Sequence, residues 1–467
     1  MRALRGRLSS GLGLVVVLAL LHAAAYIALG RSEWSDPTVF SDQLEYEAIA
    51  HAVISEGRYT TYPGVEPYVA EGKRPPGYPL FVAAVHWLIA PSRLAVTAVH
   101  AVLFALLCAL VYDLGAVLRG RGFGLAVGAA TALYAPLPHS GAYVLSMVVA
   151  GVATILVLRL ILPIPAVPST SRLALAGVLC GYMVLVRPSF ILLPLALVAW
   201  FAVGRRFGRA VPARGVVAFL LATALLIAPW TVYTYHYFGT VSPAPAGRVW
   251  RDLWAGTWHG TWRGRVESQM SAALKASRSD AELVERLGRI GPDVERMHRV
   301  LVEDLELQLA IQANADPQAR IAAHIAAERD YRALALRRIS EDPLGFVWRR
   351  ATHGVFILWA SHVPLPYRMI DNLSPSWLSA IWVMQAAILV FALMGAVAMW
   401  RVQAVEALLL SLFVAYVAVV HFPLRPDPRW ALPVMPVVLL FAVAGGAAAW
   451  RWMSDILVTP RSLPSTT

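Results

Sequence analysis

Carboxylates and cations gather in two short segments that follow the first apolar stretch of the chain. The segments are "SDQLEYEAIAHAVISEG" (41–57), with Asp42, Glu45 and Glu47, and "EGKRPPGYPL" (71–80), with Lys73 and Arg74. Carboxylates beside cations make a polar site, and in a chain this apolar such a site belongs at the membrane surface. The combination suits an anionic lipid headgroup as ligand.

Further polar residues lie in later loops that we place on the same side of the membrane. They are His139, Arg187, the segment "YTYHYFG" (233–239), Arg425 and Arg429. Arginine offers a planar fork for phosphate oxygens, whereas the lysine of the first loop acts as a point charge. These residues extend the predicted polar site.

Each candidate also has a simpler structural interpretation. Asp42 is suited to cap a surface helix over 42–54, because Ser41 or Asp42 stands at its start and Gly57 lies past its end. In that helix Leu44, Ile49 and Val53 form the apolar side, and Glu45 and Glu47 cap or solvate it.

The other candidates have similar alternatives. Arg425 and Arg429 could extend toward lipid headgroups, and Arg187 could cap the preceding span. His139 could be a polar loop residue rather than a ligand. Tyr46 and Tyr78 could anchor the chain at the interface rather than contact a substrate.

The composition excludes a soluble protein. The 467 residues are 58% hydrophobic and 15% charged, with a mean hydropathy of +0.61. These values indicate an all-α polytopic membrane protein. The net charge of +12 comes almost entirely from arginine and is expected on cytoplasmic loops, so we expect no nucleic-acid partner. Cys108 and Cys180 lie in apolar runs and predict neither a disulfide framework nor a metal site.

The distribution of arginines predicts the topology. After a first span within 1–30, apolar stretches occupy about 76–90, 94–118, 122–137, 141–163, 172–187, 189–203, 214–238, 377–400, 402–422 and 430–452. If 76–90 lies flat or re-enters, the basic segments 118–122 and 204–214 both face the cytoplasm. The stretch 346–359 is then interfacial. About ten spans with both termini inside follow from this arrangement.

Three regions result. Residues 1–238 form an N-terminal transmembrane core whose first extracytoplasmic loop, 31–92, carries the polar site. Residues 239–345 form an extracytoplasmic region of amphipathic helices, broken by "GPD" at 291–293. Residues 346–467 hold the interfacial segment and the C-terminal transmembrane helices.

The order of several motifs resembles the polyprenyl-phosphate-sugar-dependent glycosyltransferases of the GT-C type, which include protein O-mannosyltransferases and the aminoarabinose transferase of lipid A. The motifs cover most of 11–450. They are the acidic first loop with "KRPPGYPLFVAAVHWL", "ALYAPLPHSGAYVLS" (132–146), "GYMVLVRPSFILLPLAL" (181–197), "APWTVYTYHYFGTVSP" (228–243), "AERDYRALALRRISEDPLGFVWR" (327–349) and "RPDPRWALPVMPVVLLFA" (425–442).

The resemblance implies a GT-C fold in the cell's inner (plasma) membrane and an inverting transfer of a sugar from a polyprenyl-phosphate donor to an extracytoplasmic acceptor. The acceptor is a cell-envelope glycan, a lipid or a protein. By the same resemblance Asp42 is the general base. Because a phosphate leaving group needs little protonation, one carboxylate suffices. The candidates for binding the donor phosphate are Lys73, Arg74, Arg425 and Arg429.

Three positions depart from the family's pattern. Gln43 and Met147 stand where many relatives carry acidic residues, and Lys73 replaces an acidic residue found near the metal of the lipid A transferase subgroup. We therefore expect no metal and no other cofactor.

Two other functions fit a chain with many spans. A transporter or lipid flippase would place ionisable residues or broken helices near the bilayer midplane, whereas this chain gathers them at one face. A membrane scaffold would not need an ordered polar set on the outer loops.

Overall fold

A computed structural model describes residues 2–34, 40–162, 166–207, 210–370 and 372–458. Within these ranges the regular structure is helical, as the composition predicts. The α-helices are α1 Arg2–Gly30, α2 Asp42–Glu56, α3 Gly77–Leu88, α4 Arg93–Arg119, α5 Arg121–Leu133, α6 Pro136–Gly141, α7 Met147–Ile161, α8 Thr170–Val186, α9 Leu193–Gly204, α10 Ala213–Phe238, α11 Val249–Trp258, α12 Gly264–Ala276, α13 Asp280–Gly288, α14 Val294–Gln312, α15 Pro317–Glu341, α16 Pro343–Arg349, α17 Val355–Ala360, α18 Tyr367–Ile370, α19 Pro375–Trp400, α20 Ala404–His421 and α21 Met435–Val458.

Seven helical segments in the described ranges are long and apolar enough to cross a membrane. They are Ser10–Glu33, Arg93–Arg119, Pro188–Phe207, Ala213–Phe238, Pro375–Trp400, Ala404–His421 and Pro428–Asp455. Three shorter apolar helices, α3, α7 and α8, accompany them. The chain is a multi-pass membrane protein, while the total of about ten spans stays a prediction.

The predicted apolar stretches 76–90 and 122–137 both form short helices. The stretch 76–90 contains α3, whose 12 residues rise about 18 Å, well short of the roughly 30 Å of hydrocarbon. The stretch 122–137 forms the 13-residue α5 and then breaks, because Pro136 begins the separate helix α6. Both helices are thus shorter than the seven that are long enough to cross a membrane.

Close contacts between backbones hold the transmembrane helices together. Gly395 of α19 faces α21, where an added Cβ would lie 1.8 Å from the carbonyl oxygen of Phe441. Gly445 of α21 faces Phe391 in the same way, at 1.9 Å. Small residues at such crossings allow the van der Waals contact that drives association in lipid.

The region between α10 and α16 has its own apolar core. The buried side chains come from α11 to α15 and include Trp254, Met270, Leu301, Leu305 and Tyr331. The predicted helical character of the region is confirmed, and so is the break at 291–293, which lies between α13 and α14.

Arginines join this region to the chain that follows it. The guanidinium of Arg350, fully buried, donates to the carbonyl oxygens of His259 and Leu424. Arg349 donates to the Asp342 carboxylate at 2.8 Å and to the Thr257 carbonyl at 3.1 Å. An arginine pair in an interfacial segment is expected to face lipid headgroups, but both of these side chains bond within the protein.

Candidate functional site

The start of α2 carries the central carboxylate. Ser41 occupies the N-cap position without a side-chain capping bond, and Gly57 ends the helix with φ +66°. Asp42 is the first helical residue, and its Oδ1 accepts from Arg74 Nη2 at 2.5 Å. Its Oδ2 lies 3.8 Å from Arg429 Nη1. Asp42 therefore faces two arginines, in contrast to the capping interpretation.

Asp42 belongs to a row of alternating charges, which we call the charge network. Its members in order are Lys73, Glu45, Arg74, Asp42, Arg429 and Asp427. The Lys73 ammonium bonds Glu45 Oε1, and Arg74 Nε donates to Glu45 Oε2 at 2.5 Å. Two segments far apart in sequence thus meet at one helix start.

The interpretation of Glu45 and Glu47 as capping or solvating residues is wrong. Glu45 holds Lys73 and Arg74, and Glu47 accepts from Arg93 at 2.6 and 2.8 Å. The apolar side of α2 also differs from the prediction, because Leu44 is exposed while Ile49 is fully buried.

A buried carboxylate shapes the turn that presents Lys73 and Arg74. Glu71 Oε1 accepts from the backbone N of Lys73 at 2.6 Å and of Arg74 at 2.9 Å. The backbone N of Glu71 donates to the hydroxyl of Tyr233 at 2.9 Å. Burial raises the pKa of Glu71. The turn is fixed from both sides, so the two cations are held in place.

Asp427 holds Arg429 in a similar way. Its carboxylate accepts from the backbone N of Arg429 at 2.9 Å and from Nη2 at 2.6 Å. The guanidinium lies over the ring of Phe40, 4.9 Å from the centroid. Phe40 has φ +49°, a left-handed conformation that is uncommon outside glycine and often found at functional sites.

Arg187 contributes a cation of a different kind. Its Nη1 lies 2.5 Å from the sulfur of Met147, and no carboxylate oxygen in the described ranges lies within 4.0 Å of its guanidinium. Burial lowers the pKa of Arg187, and the positive charge of Arg429 lowers it further. Its half-buried side chain is not neutralised by an ion pair.

The charges set the protonation states of the network. Burial alone would raise the pKa of Asp42, but the charges of Arg74 and Arg429 outweigh it and hold this pKa well below its usual range. Burial lowers the pKa of Lys73 to about 8. Near neutral pH Asp42 is a carboxylate and most of Lys73 is protonated.

Of the remaining predicted residues, Tyr46 contacts the charge network, and Tyr78 and His139 are buried. Tyr46 touches the network, with its hydroxyl 3.5 Å from Arg74 Nη1 and the guanidinium 5.0 Å above its ring. Tyr78 is fully buried behind it and bonds His100 Nε2 at 3.2 Å. His139 is also buried, with its ring 5.5 Å from that of Tyr143.

Arg425 lies to one side of the network. Its backbone N donates to the Asp252 carbonyl at 2.7 Å, and its Nε lies 4.0 Å from Asp252 Oδ1. It faces α11 rather than Asp42. Among the described residues no group of three or more His, Cys, Asp or Glu side chains could hold a metal ion, and the expectation of a metal-free site stays a prediction.

Sequence reasoning missed Asp427 and Glu71. Asp427 stands two positions before Arg429 in "RPDPRW", between two prolines that limit its backbone, and this spacing was a usable signal. Glu71 has no comparable signal, because its role depends on the path of the loop around it.

Comparisons with known proteins give distant structural likenesses. No protein-family model and no curated protein matches the chain. The archaeal oligosaccharyltransferase AglB from Archaeoglobus fulgidus, solved with an inhibitory peptide and a dolichol-phosphate, is 11% identical over 97% of this chain with a TM-score of 0.47. This chain spans about half of that enzyme's length, 52%. ArnT from Cupriavidus metallidurans bound to undecaprenyl phosphate is 17% identical over 98% of this chain and 82% of its own, with a TM-score of 0.39.

Proposed function

We propose that this chain is an integral membrane glycosyltransferase of the GT-C type. It transfers a sugar from a polyprenyl-phosphate donor to an acceptor hydroxyl on the extracytoplasmic side of the inner membrane. The observation that carries the proposal is the Asp42 carboxylate between the guanidinium groups of Arg74 and Arg429, at 2.5 and 3.8 Å. This reaction needs a base and, in contact with it, cations that bind an oxyanion.

The reaction is a direct displacement. The acceptor oxygen forms a bond to the anomeric carbon while the bond from that carbon to the phosphate oxygen breaks, and the configuration inverts. Asp42 takes the hydroxyl proton, and the electron pair leaves with the polyprenyl phosphate. The Asp42 side chain is 32% exposed, so an acceptor can reach it.

Donor binding also makes Asp42 a better base. In the free protein its low pKa makes it a weak proton acceptor, because two arginines stabilise its charge. A donor phosphate competes with Asp42 for Arg74 and Arg429. Each arginine that turns toward the phosphate raises the pKa of the carboxylate, so base strength rises when the donor is present.

The cations differ in how free they are to hold the phosphate. Lys73 and Arg74 share Glu45, and Arg429 is held by Asp427. Arg187 contacts a thioether instead. A guanidinium without a carboxylate partner gains most from a phosphate, so we assign Arg187 to the donor phosphate along with Arg74 and Arg429.

The test reconstitutes the purified full chain in vesicles with a panel of polyprenyl-phosphate sugars and a cell-envelope extract as acceptor source. Labelled sugar moving onto the acceptor, with release of polyprenyl phosphate, is the expected result. Movement of the intact lipid between leaflets without sugar transfer contradicts the proposal and favours a flippase.

A further inference from the structure

Three cations that the proposed reaction does not use lie beside the charge network. They are Arg248 before α11, Lys275 in α12 and Arg425 before α21, and we call them the outer cation group. Arg248 and Lys275 are exposed, and the Arg425 side chain is 38% exposed. Within the described residues no carboxylate oxygen lies within 4.0 Å of Arg248 or Lys275.

Backbone bonds hold the segments of Arg248 and Arg425 against the network. The backbone N of Ala246 donates to the Gly72 carbonyl at 2.9 Å, which joins the segment before α11 to the turn of Lys73 and Arg74. Arg425 is bonded to Asp252 through its backbone, and Arg429 follows it by one short turn. Arg248 and Arg425 therefore border the Asp42 site on the side of α11, and Lys275 lies close enough to feel the charges of both.

The charges in the group act on one another. Burial lowers the pKa of Lys275, and the positive charges of Arg425, Arg251 and Arg248 lower it further. Asp252 is the carboxylate that faces Arg425. Three cations and this one carboxylate leave two positive charges without a partner, and like charges held together favour a bound anion.

Arg251, in the first turn of α11, is paired with a carboxylate. It makes two bonds to the Asp304 carboxylate, at 3.0 and 2.7 Å, inside the apolar core of the region. Arg248, less than one turn away, has no such partner. The contrast separates a structural arginine from one that is open to a ligand.

Resting on the proposed function, we infer that Arg248, Lys275 and Arg425 bind an oxyanion of the acceptor, such as a phosphate group, beside the hydroxyl that Asp42 deprotonates. The acceptor is then an anionic molecule whose charge is bound by these three side chains. The donor phosphate occupies the separate set around Asp42. Two anions are bound at the same time.

The test measures equilibrium binding of radiolabelled inorganic phosphate to the full chain in phosphatidylcholine nanodiscs, with and without saturating undecaprenyl phosphate. Phosphate is expected to bind in both conditions. The Arg248→Gln/Lys275→Gln variant should weaken phosphate binding about tenfold or more, since charge-assisted bonds are lost, while undecaprenyl phosphate binding stays unchanged. The control Arg263→Gln/Arg265→Gln removes two exposed charges at the other end of α12 and should change neither.

Two results overturn the inference. One is phosphate binding that the Arg248→Gln/Lys275→Gln variant leaves unchanged. The other is that undecaprenyl diphosphate displaces phosphate and binds more tightly than undecaprenyl phosphate, and that the Arg248→Gln/Lys275→Gln variant loses this preference. That result would assign the outer cation group to a second phosphate of the donor. If undecaprenyl phosphate fails to bind while the phosphate results hold, the donor proposal fails and the anion site stands.

Discussion

At the scale of single residues, the site depends on shared counterions. Asp42 and Glu45 both hold Arg74, and Asp42 also faces Arg429. Lys73, Arg74 and Arg429 each have a carboxylate to leave when a phosphate arrives, so binding by these cations exchanges one ion pair for another. Such exchange costs less than desolvating an isolated charge.

Lys73 predicts the pH dependence. Its pKa of about 8 means that it is charged below this pH and neutral above it. We predict that Lys73 also holds the donor phosphate, so kcat/KM for the donor falls as pH rises through about 8, because the ammonium loses its charge. Lys73→Arg keeps its charge and should move the fall to higher pH. An unchanged profile in Lys73→Arg contradicts this role.

The sequence could identify some of these residues but not their pairing. Asp42, Arg74 and Arg429 were predicted from residue type and motif order, and the structure brings them together. Glu45 was misinterpreted because its partners lie 28 and 29 positions away. A loop of that length does not fix which side chains meet.

At the scale of elements, the hydrophobic pattern predicts the helices well and their lengths less well. The apolar stretches contain helices, because a backbone in lipid must satisfy its own hydrogen bonds. Pro136 and the short α3 mark where composition alone overestimates length. Glycines such as Gly445 decide which helices approach closely, and this depends on a partner helix that no local pattern specifies.

The crossing of α19 and α21 predicts a matched pair of variants. In Gly445→Ala the new Cβ would lie 1.9 Å from the Phe391 carbonyl oxygen, whereas a Cβ added at Gly446 would meet no atom of another helix within 4 Å. Overpacking of this kind costs about 1 to 3 kcal/mol. Gly445→Ala should lower the thermal unfolding midpoint in detergent, and Gly446→Ala should barely change it. Equal midpoints contradict the observed packing.

At the scale of the whole molecule, the polar site lies where two units meet. The first loop and the segment before α21 supply the charge network. Arg248 and Lys275 of the outer cation group come from the region with its own apolar core, and Arg425 comes from the segment before α21. The sequence predicts the helical region 239–345 as a separate part between two transmembrane regions. Their contact through Arg350, Gly72 and Ala246 could not be predicted, because hydrogen bonds to the backbone of distant segments leave no pattern in the sequence.

The predicted sidedness can be checked by cysteine labelling. The native Cys108 and Cys180 are buried, so background labelling should be low. Ser268→Cys in α12 should react with a membrane-impermeant maleimide in intact cells from the extracytoplasmic side. Arg206→Cys, in the basic segment after α9, should react only after permeabilisation. The reverse pattern contradicts the topology.

The central claim, that Asp42 is the base and the arginines beside it bind the donor phosphate, is tested most directly by measuring transfer and donor binding together in Asp42→Asn. We predict a loss of sugar transfer of about 100-fold or more, with undecaprenyl phosphate bound as tightly as in the wild type or tighter, because Arg74 and Arg429 each lose one of their two carboxylate partners. Glu47→Gln, which removes a carboxylate from the same helix, should retain most of the transfer activity. Full transfer by a folded Asp42→Asn protein, or loss of lipid binding along with transfer, would contradict the account.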